Sequence, residues 1–145
     1  MKTEPTEGKG AAVTGPLLVV ADDDESMRLL LARILESEGW RVACADGGAQ
    51  AIEALRTGAP DLLILDLMMP GTSGWDVLAF MDGRPSLARV PVVVLTAFAE
   101  RSDGAWRDVG APSRRMIHKP VDADLLLRLV GGLLDRARAA SQLHA

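Results

Sequence analysis

Three uninterrupted apolar runs constrain this chain more than any other feature: Leu17-Leu18-Val19-Val20-Ala21, Asp61-Leu62-Leu63-Ile64-Leu65 and Val90-Pro91-Val92-Val93-Val94-Leu95. A strand with one wet face alternates apolar and polar residues, whereas a strand covered on both faces stays apolar throughout. The runs therefore predict central strands of a parallel sheet with helices on both sides. Two weaker runs, 41–45 and 114–118, admit polar residues and suit the sheet edges. The segments between have helical periodicity. Over 25–38, Met27, Leu30, Leu31, Ile34 and Leu35 share a face, and Gly39 supplies the stop. Further helices are predicted over 48–57 and 73–82, with a weaker one over 101–109 that contains Gly104. A last helix is predicted over 122–138, with Asp122 as its cap. Gly131 and Gly132 weaken it, each by about 1 kcal/mol relative to alanine. Five βα units with right-handed crossovers define an α/β fold, a single doubly wound (βα)5 domain with a parallel five-stranded sheet.

At 145 residues the chain holds one such domain, placed here at 17–138, after a leader over 1–16 that is predicted disordered and before a tail over 139–145. A net charge of −4 argues against a large nucleic-acid footprint, which needs clustered Lys and Arg. Arg114-Arg115 is too short to supply one. Cys44, the single cysteine, cannot form an internal disulfide and reads as a small buried residue. No apolar stretch approaches the ~20 residues that span a bilayer, and the start lacks a signal-peptide core, so a cytoplasmic protein is expected. Trp40, Trp75 and Trp106 lie near element ends and read as packing residues. His144, in the tail, reads as solvated.

In a doubly wound sheet, function gathers where the strands end at their carboxyl termini. The first strand runs into Asp22-Asp23-Asp24, the third into Asp66, the fourth into Thr96-Ala97 and the fifth into Lys119-Pro120. Carboxylates, a hydroxyl and an ammonium thus converge on one rim. A lone Asp after a strand is ordinarily a cap or turn former. Four such strand ends in order are a different signal. Gathered carboxylates repel unless a counter-charge joins them, and Mg²⁺ suits an all-oxygen set that also receives a phosphate.

The segments Leu18–Arg28, Asp61–Gly71 with Gly74 beyond, Val92–Ala97 and Ile117–Pro120 together resemble the receiver domains of bacterial two-component response regulators, over residues 17 to about 136. The resemblance implies strand order 2-1-3-4-5 and a phosphorylation switch. Asp66 would accept a phosphoryl group from a histidine kinase or phosphotransfer protein. Asp23, Asp66 and the Met68 backbone carbonyl would bind Mg²⁺ directly, and Asp22 would do so through a water. Asp24 would cap the first helix. Thr96 and Lys119 would contact phosphoryl oxygens, Ala97 would keep access open, and a cis bond would precede Pro120. Such a domain is a switch rather than a turnover enzyme, and it would signal to a downstream protein through its fourth helix, fifth strand and fifth helix, without touching nucleic acid or membrane itself.

The chain departs from the family at three positions. An aromatic residue usually lies three positions before the lysine, but here the residue is Met116, which can couple by rotamer change or serve as plain edge-strand packing. Met68 and Phe98, two positions beyond Asp66 and Thr96, are large and apolar where a polar side chain could orient a hydrolytic water. They are expected to prolong the phosphorylated state. His118 alternates away from Lys119 and reads as structural. A Mg²⁺-dependent phosphatase using an aspartyl phosphate is the competing enzyme class, but it would want an acid–base Asp at position 68. A flavin site is disfavoured by the acidic first loop. The short stretch after the last helix leaves two expectations open, a stand-alone receiver and a receiver excised from a larger regulator.

Overall fold

The computed structural model describes residues 15–97 and 113–143. The expected helix over 101–109, Phe98, Trp106, most of the leader and His144 lie outside these residues. Five strands form one parallel sheet: β1 (Leu17–Ala21), β2 (Arg41–Ala45), β3 (Leu62–Asp66), β4 (Val92–Thr96) and β5 (Arg114–His118). Their order is β2-β1-β3-β4-β5, as the resemblance implied. Every residue of β3 and β4 is buried, which is why both lack polar alternation.

Alternation within the central strands divides the core in two. Val19, Leu63, Leu65, Val92 and Val94 face α2 (Gly48–Thr57) and α3 (Gly74–Asp82). Leu18, Val20, Leu62, Ile64, Val93 and Leu95 face α1 (Glu25–Glu36) and α5 (Ala123–Leu143). The observed α1 stops two residues short of the sequence expectation, at Ser37, and Gly39 follows at φ 87°, in the left-handed region that glycine tolerates. Asp24 and Asp122 cap as expected: Asp24 accepts from the Ser26 and Met27 N–H groups, and Asp122 from the Leu125 N–H. Ser73, predicted inside α3, instead caps it in a reciprocal box with Asp76.

Three differences have physical causes. A four-residue helix, α4 (Pro85–Ala88), precedes β4 and buries only Leu87, too little to leave a periodic pattern. The last helix runs through Gly131-Gly132 and on to Leu143, into the span expected as tail. Its final turns are exposed over Asp135–Gln142, so no apolar stripe announced them. Cys44, expected buried, is exposed, because edge strand β2 leaves Ala43 and Cys44 uncovered. Burial nonetheless pushes the thiol above its usual range, with Arg28 opposing and Glu36 adding to the shift. Trp40 packs against the α1–α5 core as expected, whereas Trp75 is 40% exposed. Among the described residues, no helix is long and apolar enough to cross a membrane.

Candidate functional site

Strand order reverses between β1 and β3, which are direct neighbours with Ala21 opposite Leu65. The chain leaves these strands in opposite directions around the sheet, and the crevice so opened receives Asp22 from one and Asp66 from the other. Asp22 is fully buried and Asp66 is 3% exposed, while Asp23 lies in solvent. β4 ends beside them in the buried Thr96. The Thr96 carbonyl accepts from the Lys119 N–H at 2.8 Å, fixing the loop after β5 against the same rim. The Lys119–Pro120 bond is cis.

Lys119 completes the cluster. Its Nζ lies 3.4 Å from Asp22 Oδ2 and 3.4 Å from Asp66 Oδ2, bridging the two buried carboxylates. The second oxygen of each is held by backbone: Asp22 Oδ1 accepts from the Asp24 N–H at 2.9 Å, and Asp66 Oδ1 from the Met68 N–H at 3.1 Å. Burial raises the Asp66 carboxyl above its ordinary value, and the Asp22 charge adds to this; the Met68 N–H and Lys119 offset only part. For Lys119, burial alone would lower the ammonium, but the charges of Asp66 and Asp22 and their hydrogen bonds outweigh it and hold the group raised.

One ammonium faces three carboxylates. Oxygen atoms of Asp22, Asp23 and Asp66 all come within 4.8 Å of one another. Clustered hard oxygen donors, two buried and one open to solvent, fit a cation such as Mg²⁺ that keeps part of its hydration shell. The predicted residues Asp22, Asp23, Asp66 and Lys119 are therefore brought together, with Thr96 at the adjoining strand end. Ala97 is exposed at the mouth, and Met68 presents a side chain that is 49% exposed. Met116 is half-buried and packs against the α2–α3 core. His118 is exposed at the end of β5.

Two supporting residues were quoted in the sequence motifs without any structural task being assigned to them. Arg28, one turn into α1, donates from Nη1 to the Asp22 carbonyl at 2.7 Å and fastens the acidic loop to the helix. Gly74 lies so close to β3 that a Cβ there would stand 2.5 Å from the Asp66 carbonyl oxygen and 2.6 Å from Leu67 Cα. Both act through backbone atoms, which leave no mark on composition or periodicity. Arg114, read from sequence as half of a weak basic pair, is buried and donates to Asp82 Oδ1 at 2.6 Å.

Comparison with known proteins bears on the same residues. The profile of the response regulator receiver domain family matches residues 18–131. The chain is 35% identical over 123 residues to the phosphate regulon transcriptional regulatory protein PhoB of Rhizobium meliloti, covering 85% of this chain and 54% of that protein. It thus spans about half the length of that relative. Among solved structures, the signal receiver domain of a signal transduction histidine kinase from Syntrophus aciditrophicus superposes with a TM-score of 0.75 at 28% identity, covering 83% of this chain and 91% of that one. The response regulator protein TrrA from Thermotoga maritima, solved in complex with Mg²⁺–BeF, superposes with a TM-score of 0.70 at 28% identity, covering 81% and 98%. With strand order, acidic rim and sequence profile in agreement, this chain belongs to the response regulator receiver domain family.

Proposed function

We propose that the protein is a phosphorylation switch in which Asp66 accepts a phosphoryl group from the phosphohistidine of a histidine kinase or phosphotransfer protein. The observation that carries this is the placement of Asp66: buried at the strand-order switch point, 3.4 Å from the Lys119 ammonium, and beside two further carboxylates. In the transfer, an Asp66 carboxylate oxygen forms the new O–P bond as the donor's P–N bond breaks. The imidazole leaves with the electron pair. Positioning and charge neutralisation supply most of the catalysis in such a step. Lys119 balances one phosphoryl oxygen, and the Thr96 hydroxyl donates a hydrogen bond to another. Asp23, Asp66 and the Met68 carbonyl would hold Mg²⁺ directly and Asp22 would do so through a water; the bound ion supplies positive charge against the phosphoryl oxygens. TrrA, similar in fold, was solved with Mg²⁺–BeF, which supports that cofactor.

The resulting acyl phosphate lets the switch reset by hydrolysis, so the protein is a signalling device and not a turnover enzyme. A phosphatase is disfavoured, since Met68, at the position an acid–base would need, cannot transfer a proton. Output runs to a protein partner through the β5–α5 side, with no direct nucleic-acid or membrane contact, in the cytoplasm where ATP-derived phosphoryl groups circulate. Incubation with acetyl phosphate or a phosphorylated histidine kinase should label the wild type and leave Asp66→Ala unlabelled. Equal labelling of the variant would overturn the assignment.

A further inference from the structure

Arg28 is the fourth residue of α1, and neither the helix nor its neighbours in sequence account for a cation there. A positive charge this near a helix amino terminus faces the positive end of the backbone dipole and gains nothing from it. Asp24 and Glu25 stand four and three residues before it, the spacing at which helical ion pairs form. Among the described residues Arg28 nonetheless makes no ion pair. Its half-buried side chain instead donates to the backbone carbonyl of Asp22, at 2.7 Å. That is a charge-assisted bond to a neutral acceptor, made with two carboxylates at hand.

The bond completes the fixation of one residue. The Asp22 N–H donates to the Ala45 carbonyl at 3.2 Å, Oδ1 accepts from the Asp24 N–H at 2.9 Å, and Oδ2 lies 3.4 Å from the Lys119 ammonium. Arg28 takes the remaining polar group, and with it the plane of the Asp22–Asp23 peptide. Because a peptide unit is rigid and flat, fixing the direction of its carbonyl also fixes the Asp23 nitrogen and Cα. The Asp23 side chain adds no anchor of its own: it is exposed and, among the described residues, forms no hydrogen bond or ion pair. Even so, a carboxylate oxygen of Asp23 lies within 4.8 Å of oxygens from both Asp22 and Asp66, two groups that repel it. With no contact of its own to hold it, the Asp23 carboxylate keeps that place only through the backbone beneath it.

We propose that Arg28 is a positioning residue of the cation site: by holding the Asp22–Asp23 peptide, it keeps the Asp23 carboxylate beside Asp22 and Asp66 and so sets the affinity for Mg²⁺. The proposal rests on the rim being a Mg²⁺ site, and it gives Arg28 no contact with the phosphoryl group. The sign of the effect separates position from charge. A guanidinium acting through its charge alone would repel a bound cation, so its removal would tighten Mg²⁺ binding. A guanidinium acting through the peptide works the other way, since without it Asp23 loses its place in the donor set. Partners that orient metal ligands are commonly worth about 10- to 100-fold in affinity.

The test is titration of the full chain with Mg²⁺ alone, followed by calorimetry and by melting temperature, in the wild type and in Arg28→Met. Methionine keeps an apolar stem and removes every donor. The dissociation constant for Mg²⁺ should rise about tenfold or more. Arg28→Lys, which retains a charged donor, should recover part of that loss. Should methionine upset the fold, Arg28→Gln, neutral and shorter, serves in its place with the same expected weakening. Labelling of Asp66 by acetyl phosphate should slow in Arg28→Met at low Mg²⁺ and return to the wild-type rate at saturating Mg²⁺, a split that a general loss of structure does not produce. Mg²⁺ affinity in the variant that equals or exceeds that of the wild type would overturn the proposal, as would a labelling rate still reduced at saturation. A wild type that binds no Mg²⁺ would instead remove the metal site itself, and this role with it, so the two failures are distinguishable.

Discussion

Burial and the Asp22 carboxylate hold the Asp66 carboxyl above its ordinary range, and a raised carboxyl in the folded state means that its ionised form opposes folding. The sign is fixed by proton counts. Between the unfolded value, about 3.9, and the raised folded value, the native state binds more protons, so stability falls as pH rises through that window. Lys119 acts oppositely: its folded value is raised, so its stabilisation is fully present at neutral pH and is lost only above about 10.4. Within the acid range the Asp66 contribution therefore stands apart from that of Lys119. In Mg²⁺-free buffer at pH 7, Asp66→Asn should melt a few degrees above the wild type, and the gap should close as pH drops below about 4. Equal melting at neutral pH would show that Lys119 and the Met68 N–H compensate the charge fully. Met68 stands half-exposed next to Asp66, where a polar side chain could have held a hydrolytic water. Phosphate loss from phospho-Asp66 should be faster in Met68→Asn/Phe98→Glu than in the wild type; a slower or unchanged rate would remove the shielding role. The residues of the site were legible because each follows a recognisable strand. The burial of Asp22 and the exposure of Asp23 were not, since neighbouring aspartates look alike until the loop's hydrogen bonds assign their directions.

At the scale of elements, the contact between α3 and β3 sets the position of the strand that ends in Asp66. The Gly74 N–H donates to the Leu67 carbonyl at 3.0 Å, and the missing side chain allows the first turn of α3 to lie against the Asp66 backbone. Both atoms a Cβ would strike belong to backbone, so the strand end or the helix must shift. Gly74→Ala should destabilise by ~1–3 kcal/mol, the range for overpacking, and should slow phosphorylation by displacing Asp66. Gly131→Ala provides the contrast: a Cβ there meets nothing within 4 Å, and the helix should gain up to about 1 kcal/mol. If both substitutions shift the melting temperature in the same direction, the packing account of Gly74 is wrong. Elements with dense apolar patterning were read from sequence nearly to the residue, and the weak edge runs 41–45 and 114–118 coincide with β2 and β5. What escaped was α4, with one buried side chain, and the exposed end of α5, whose propensity alone carries it past Arg138. Helices that bury little leave little to read.

Across the whole molecule, the sheet gathers its charge at one end. β1 and β3 deliver three carboxylates to a rim where Lys119 supplies a single ammonium, a charge imbalance held in place by two apolar cores that cover both faces. Repulsion within that rim opposes folding, and a cation that binds only the folded rim should offset it. By mass action, an ion present at 100 times its dissociation constant adds about 2.7 kcal/mol. Wild-type protein should therefore melt at rising temperature as Mg²⁺ increases through the millimolar range. Asp23→Asn separates the two effects. It removes a charge from the exposed side of the cluster, so the Mg²⁺-free protein should melt no lower than the wild type, and above it where repulsion dominates. It also removes an oxygen of full charge from the donor set, so its response to Mg²⁺ should shrink toward zero. The two melting curves should then cross, with the variant ahead in chelator and the wild type ahead in Mg²⁺. Parallel curves, or a wild type indifferent to the ion, would mean that the rim does not bind Mg²⁺ in the folded domain.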